Sequence, residues 1–179
     1  MKDGNPWTIL SEKELYSNPW ISMHEFQVLN PAGKPGIYGK VHFKNLAIGI
    51  VVLDENQETW LVGQYRFPLN EYSWEIPEGG CPLGTDPLET AKRELLEETG
   101  ISAASWTEIQ RMHLSNSVSD ELAIIYLAQN LSFGMADPEE TEALEIKKMP
   151  FSEAYQWVLE GKITDSISVA AILKLNTLL

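Results

Sequence analysis

The chain has 179 residues, one domain by the usual prior of ~100–200 residues, and its 44% apolar and 22% charged composition suits a core built without disulfides or a structural metal. Its net charge of −13 excludes a nucleic-acid polymer as the expected partner, because phosphate backbones are bound by basic faces. The single cysteine, Cys81, excludes an intramolecular disulfide and points to a reducing, cytoplasmic setting; the first residues lack a signal-like apolar run, and no stretch approaches the ~18 apolar residues of a membrane span.

In chain order, residues 1–45 form short strands broken by turns at Asn18-Pro19 and across Asn30–Gly36. Ile21–Leu29 and Ile37–Phe43 alternate and are rich in β-formers, which predicts a hairpin. Leu46–Leu53 is a continuous apolar run of buried-strand length, and Thr59–Tyr65 is the next strand after a polar turn. Trp74–Pro77 is a short strand ended by proline, and Glu78–Thr85, rich in Gly and Pro, is expected as a loop. Asp86 is a good N-cap with Pro87 at the first helical position and Glu89 three residues after the cap, and Gly100 is a ready stop. Strands follow near Trp106–Leu114 and Glu121–Asn130, then an acidic loop over Gly134–Glu145 and a strand at Ile146–Met149. Ser152 is the expected cap of a helix ending at Gly161, and Ser166 begins a last helix with Ile167, Ala170, Ala171 and Leu175 on one face. This order predicts a mixed α/β or α+β fold rather than strict βαβ repetition.

Chemistry concentrates between Glu78 and Ile101. On the helix, Leu88, Ala91 and Leu95 make one apolar stripe, and Glu94, Glu97 and Glu98, at i, i+3 and i+4, make an acidic stripe beside it. Like charges at that spacing repel by a few tenths of a kcal/mol per pair, and the C-terminal half of a helix disfavours anions. In isolation such a stripe fits a solvated face. Bound divalent cations would reverse both penalties, because hard ions take carboxylate oxygens. Arg93, four residues before Glu97, is placed to pair with it and orient its carboxylate.

The whole string decides between these readings. Gly79, five residues, Thr85, seven residues, then Arg93-Glu94-Leu95-Leu96-Glu97-Glu98-Thr99-Gly100-Ile101 resembles the signature of the Nudix hydrolases, with one departure: Thr85 stands where the family has Glu. The resemblance implies a Nudix-type αβα sandwich with a mixed sheet over residues 46–179, preceded by an antiparallel β segment over residues 1–45. It implies hydrolysis of a nucleoside diphosphate linked to another moiety, with Mg2+ or Mn2+ as cofactor. Carried over position by position, Glu94 and Glu98 are metal ligands, Glu97 a ligand or water-mediated partner, and Arg93 the group that holds Glu97. The backbone carbonyl of Glu78 completes a metal site, Gly79 allows that approach, and Gly100 ends the helix. Thr85 implies weaker support of the loop.

Further features resemble the branch that cleaves ADP-ribose and other nucleotide sugars: the N-terminal β segment, Gln64-Tyr65-Arg66, Trp74-Glu75-Ile76-Pro77-Glu78-Gly79-Gly80, and Glu160-Gly161-Lys162-Ile163-Thr164-Asp165 leading into a helix. In that branch the N-terminal segment is exchanged within a homodimer and its aromatic residues sandwich the base, which makes Trp20 and Tyr38 the candidates; the alternative is ordinary packing of both in the hairpin. Arg66 suits bidentate phosphate contact, or else a structural pairing with Glu75. Glu121 is a candidate contact to the distal sugar. A loop glutamate serves as general base in such relatives, which points here to Glu140 as base and Glu142 as an additional metal ligand, the two roles being exchangeable; the alternative is an ordinary acidic surface loop.

His24, His42 and His113 are scattered without metal spacing, Cys81 lacks a nucleophile's partners, and Gly79-Gly80 lacks the rest of a Walker loop. The expected substrate is a small-molecule nucleotide sugar such as ADP-ribose or GDP-mannose, yielding a nucleoside monophosphate and a sugar phosphate. A nucleoside triphosphate or dinucleoside polyphosphate hydrolase and a non-catalytic nucleotide sensor are the alternatives.

Overall fold

The computed structural model describes residues 4–136 and 144–179. The chain divides into two units: Met1–Asn45 with His113–Glu121, and Leu46–Met112 with Leu122–Leu179.

The first unit is built on an antiparallel sheet in the order β1 (Thr8–Ser17), β2 (Ile21–Leu29), β3 (Pro35–Phe43). Its turns form where the sequence supplies self-capping asparagines. Asn18 Oδ1 accepts from the N–H groups of Trp20 and Ile21 at 2.9 and 2.7 Å. Asn30 Oδ1 accepts from Ala32 and Lys34, both at 3.0 Å, and Gly33 supplies the left-handed residue at φ 76°. Tyr38 pairs with Phe26 in the β2–β3 register. Beside β3 runs the segment 113–121, joined by Val41 N–H to Val118 C=O at 2.8 Å and by Phe43 N–H to Asp120 Oδ1 at 3.0 Å. β1 is exposed along its whole length, Ile9, Leu10, Leu15 and Tyr16 included.

The second unit holds two sheets. One has the order β10 (Glu145–Pro150), β5 (Glu58–Arg66), β6 (Glu71–Glu75), all antiparallel. The other has the order β7 (Glu78–Pro82), β4 (Asn45–Val52), β9 (Leu122–Phe133), β8 (Ile101–His113), with β4 and β9 parallel. Side chains alternate across a strand. Thus Ile48, Ile50 and Val52 of β4 and Ile124, Tyr126 and Ala128 of β9 pack in one core with Ala91 and Leu95 of α1 (Pro87–Thr99). Gly49 points to the opposite face, where an added Cβ would come within 2.5 Å of Ile167 Cγ2 on α3 (Ser166–Asn176). A sheet covered on both faces explains the near-continuous apolar run of β4. Full burial of one such side chain, Leu95, is worth ~1.5–3 kcal/mol. Helix α2 (Phe151–Leu159) packs on β5 and β10. Among the described residues no helix is long and apolar enough to cross a membrane.

Helix α1 starts and stops as its local chemistry dictates: Asp86 accepts from Leu88 N–H at 2.9 Å, and Gly100 closes the C-terminus at φ 70° with its N–H on Leu96 C=O. Three expectations are corrected. Glu78–Pro82 is a strand, not a loop, because it pairs at the edge of the β4 sheet, where Gly and a terminal Pro are tolerated. Ser152 is not a cap: α2 begins at Phe151 straight after Pro150, which offers no side-chain bond. Finally, β8 starts at Ile101 rather than near Trp106; as the outermost strand it is half-exposed and lacks a clear alternation.

Candidate active site

The acidic stripe of α1 is not a uniformly solvated face. Glu98 is only 2% exposed, and its Oε2 accepts the Glu78 backbone N–H at 3.1 Å where the helix meets the start of β7. Glu94 and Glu97 are half-buried and share one guanidinium: Arg93 Nη2 donates to Glu94 Oε1 and Nη1 to Glu97 Oε2, both at 2.5 Å. Burial lowers the Arg93 pKa, but the two neighbouring carboxylates outweigh it and the net shift is upward. Gly79 is the point of closest approach, since a Cβ there would fall on the Glu94 carboxyl, 2.6 Å from its Cγ. Only glycine lets strand and helix carboxylate meet at this distance.

A second cluster adjoins Glu78. Arg66 at the end of β5 donates from Nε to both Glu75 oxygens, at 2.9 and 3.1 Å, and from Nη2 to Glu75 Oε2 and to Glu78 Oε1, the latter at 2.6 Å. The structure therefore has the structural pairing of Arg66 with Glu75, the second of its two expected roles. Burial opposes the Arg66 charge, but the bond to Glu75 and the charges of Glu78, Glu75 and Asp165 raise its pKa overall. Burial, with the Asp165 and Glu75 charges, pushes the Glu78 carboxyl well above the usual range against the pull of Arg66. Glu78 Oε2 is buried without a hydrogen-bond partner among the described residues.

The donors suit a hard divalent cation. They are carboxylate oxygens, and Glu94 lies in a cradle that a Cβ would fill. Among the described residues no three His, Cys, Asp or Glu side chains already converge as a ready ligand set. Arg93 holds Glu94 and Glu97, while Glu98 accepts from the Glu78 amide.

Thr85 does not leave its loop open. Its Oγ1 donates to Pro82 C=O at 2.6 Å and lies 3.0 Å from the buried Cys81 Sγ, and its N–H returns to Pro82 C=O at 3.1 Å. A short self-closing turn stands where a longer acidic side chain was expected to give support.

The remaining candidates lie elsewhere. Trp20, Tyr38 and Glu121 belong to the first unit. Tyr38 lines a cavity of about 460 Å3 with Trp7, Phe26, Lys40, Asn116 and Ser117. Its hydroxyl donates to Ser117 C=O at 2.8 Å, and Trp7 meets its ring edge-on at 5.3 Å. Trp20 is 65% exposed, and its C=O accepts from Lys44 N–H, six residues along the chain from Tyr38, or ~20 Å at strand rise. The two residues thus stand at different places along the first unit's sheet. The backbone C=O of Glu121 accepts from Leu114 N–H at 3.2 Å. Glu140 and Glu142 lie outside the described residues.

The capping role of Asp165, and Ser168 altogether, escaped the sequence reading, in which Asp165 only ends the segment leading into the last helix. Asp165 caps α3 by accepting from Ser168 N–H at 2.7 Å, and Ser168 Oγ in turn accepts Ile76 N–H at 3.0 Å. An Asp one residue before a helix is a local signal for the cap; the reach from Ser168 to Ile76, 92 positions apart, has no local signal.

With this geometry in hand, the chain can be set beside known proteins. The family model described as the NUDIX domain matches residues 43–168, and the nucleoside diphosphate sugar hydrolase N-terminal domain matches residues 7–41. An ADP-ribose pyrophosphatase of Mycobacterium tuberculosis (strain ATCC 25618 / H37Rv) is 32% identical over 93% of this chain and 82% of its own length. An ADP-ribose pyrophosphatase of Bacillus subtilis (strain 168) is 29% identical over 91% and 89%. A methanol dehydrogenase activator of Bacillus methanolicus is 33% identical over 70% and 69%. The crystal structure of an ADP compounds hydrolase superposes with a TM-score of 0.87 at 20% identity, covering 99% of this chain and 96% of that one, a likeness that shows the fold.

Proposed function

Because the chain belongs to the Nudix hydrolase family, we propose that it hydrolyses the pyrophosphate bond of a nucleoside diphosphate sugar, with ADP-ribose and GDP-mannose as the substrates to try first. The products are a nucleoside monophosphate and a sugar phosphate. The observation that carries the reading is the meeting of β7 and α1, where the buried Glu98 carboxylate takes the Glu78 amide and Gly79 makes room for Glu94. The N-terminal domain match and the names of the two pyrophosphatase relatives support the substrate class.

In this reading Glu94 and Glu98 hold the divalent cation, Mg2+ or Mn2+, with Glu97 as ligand or water-mediated partner and the Glu78 backbone carbonyl beside them. The ion supplies positive charge for the pyrophosphate oxygens and acidity for the attacking water. Arg93 keeps Glu94 and Glu97 from repelling one another until they turn to their ligand. Gly79 keeps the strand backbone close to the helix. Glu140 or Glu142 takes the proton from the water, and the other lends an oxygen to the cation. Tyr38, already in an aromatic cavity, stacks on the base, with Trp20 as the second ring from a partner chain. Glu121 contacts the distal sugar. Residues 1–45 exchange across a homodimer, for which the fully exposed β1 offers the surface. The single cysteine suits a cytoplasmic enzyme.

The test is product identification after incubation with Mg2+ and a panel of ADP-ribose, GDP-mannose, other sugar nucleotides, nucleoside triphosphates and dinucleotides. Sugar-nucleotide turnover to a monophosphate pair is the expected result. Turnover of triphosphates alone sinks the substrate class, and tight binding without turnover sinks the enzyme in favour of a sensor.

A further inference from the structure

We propose that Ser168, in the first turn of α3, is a positioning residue: its side chain holds the corner Ile76–Glu78, and the corner in turn sets the Glu78 backbone against the metal-ligating carboxylate of Glu98. The inference rests on the hydrolase reading and adds to it a residue that tunes cation affinity without touching cation or substrate.

Helix α3 comes down onto the corner because the sheet leaves room for it. Gly49 of β4 lies against both elements: a Cβ there would fall 2.5 Å from Ile167 Cγ2 and 3.1 Å from Ile76 Cδ1. Asp165 closes the first turn of α3 by accepting from Ser168 N–H at 2.7 Å, which fixes the backbone that carries the hydroxyl. The other buried residues of α3, Ile167, Ala171, Ile172 and Leu175, are apolar. Ser168 is fully buried among them, and its Oγ accepts Ile76 N–H at 3.0 Å. Ile76 is equally buried, so removing the hydroxyl leaves its N–H without a partner that bulk solvent can replace.

Two residues on, the chain reaches the acidic face of α1. Pro77 C=O accepts from Ile50 N–H at 2.8 Å, and Glu78 N–H donates to Glu98 Oε2 at 3.1 Å. The corner is thus held by one bond each to α3, β4 and α1. The bond to β4 is backbone to backbone, and the bond to α1 uses the ligand itself. Ser168 is the anchor that belongs to neither the sheet nor the metal site. Without it the corner is free to shift, and it carries with it both the Glu78 N–H that orients Glu98 and the Glu78 carbonyl that the hydrolase reading sets beside the cation. Groups that orient a metal ligand typically contribute ~10–100-fold in metal affinity.

The experiment titrates Mn2+ into substrate-free protein by electron paramagnetic resonance and follows amide exchange of Ile76–Gly80 in metal-free protein by mass spectrometry. Ser168→Ala weakens Mn2+ binding by ~10-fold or more and speeds exchange of that segment, whereas Ser168→Thr, which keeps the hydroxyl, restores both. Ile172→Val trims the buried face of the same helix by one carbon. It lowers the melting temperature and leaves Mn2+ affinity at the wild-type value, which separates loss of stability from loss of position. If Ser168→Ala does not fold, Asp165→Ala and Asp165→Asn carry the comparison. Both remove the same charge, but asparagine keeps the cap, so the alanine variant binds Mn2+ more weakly. A Ser168→Ala protein that melts lower yet binds Mn2+ like the wild type, a threonine variant as weak as the alanine variant, or equal affinity in the two Asp165 variants overturns the inference and leaves the hydrolase reading standing. Wild-type protein that binds no Mn2+ overturns both.

Discussion

Replacing Glu98 by Gln isolates the charge of one buried carboxylate from its shape. Glu98 is 2% exposed and accepts the Glu78 N–H at 3.1 Å, and a glutamine oxygen can accept the same bond. Exchanging a charge-assisted bond for a neutral one costs ~1 kcal/mol. Removing a carboxylate from a nearly dry position beside Glu94 offsets part of that cost. The metal-free Glu98→Gln protein is therefore expected to melt within ~4 °C of the wild type. The contrast appears with the cation. A ligand at 100 times its Kd stabilises the folded state by ~2.7 kcal/mol, which at ~2–4 °C per kcal/mol for a chain of this size raises the melting temperature by ~5–10 °C. The wild type should show that rise in Mn2+ and Glu98→Gln should not, while turnover of the best panel substrate falls at least ~100-fold. Paired thermal melts with and without Mn2+, alongside product release, make the measurement. A Glu98→Gln protein that keeps the wild-type rate, or the full Mn2+ rise, refutes the assignment of Glu98 as a ligand.

Gly79→Ala drives a Cβ onto the Glu94 carboxyl, so Mn2+ affinity should fall in calorimetric titration and stability by ~1–3 kcal/mol; wild-type affinity would show that Glu94 is not needed at that contact. Tyr38→Ala should raise KM by the ~1–3 kcal/mol of a lost base stack, while Tyr38→Phe, losing only the bond to Ser117 C=O, should not; equal KM values for all three proteins remove Tyr38 from the substrate site. Glu140→Gln and Glu142→Gln should each depress kcat, with only the metal-ligating one also weakening Mn2+ activation, and two unimpaired variants would make the loop a bystander. Asp120 gives the pH prediction. Burial raises its pKa, but hydrogen bonds from His42 and Phe43 N–H and the charges of His42 and Lys40 lower it overall. A depressed folded pKa means stability fully present above the unfolded value of ~3.9 and lost as pH falls through the folded one. The wild type should therefore lose melting temperature more steeply than Asp120→Asn on acidification below about pH 4; parallel acid limbs in the two proteins count against the reasoning.

The parts of this molecule legible in the sequence are those whose causes are local. Helix α1 announces itself through Asp86, Pro87 and Gly100, each acting within a few residues. The hairpin β2–β3 follows from alternation around the Asn30–Gly33 turn, and β4 from an apolar run. What escaped depends on distant partners. Strand β7 exists because an edge is open beside β4, which Glu-Gly-Gly-Cys-Pro does not disclose. Ser168 serves Ile76 from the far end of the chain, and Arg66 settles on Glu75 and Glu78 although the register sets Glu71 opposite Arg66 and Glu75 opposite Val62, so the contact depends on a long side chain reaching along the sheet.

The acidic stripe shows how burial separates readings that spacing leaves equal. Glu94, Glu97 and Glu98 at i, i+3 and i+4 serve a solvated face as well as a metal-binding one. In a solvated face all three would be exposed and their repulsion screened by water. Here exposure is graded: Glu97 is 34% exposed at its side chain, Glu94 13%, and Glu98 2% as a residue. The most buried of them meets a backbone amide at the start of an edge strand, and the next lies against Gly79, where β7 and α1 touch. Helix stability gains nothing from driving carboxylates inward toward its own C-terminus, where the dipole opposes them. An element that breaks its local rules in this way fits a functional site better than a solvated face, and a divalent cation held by these carboxylates would offset the cost.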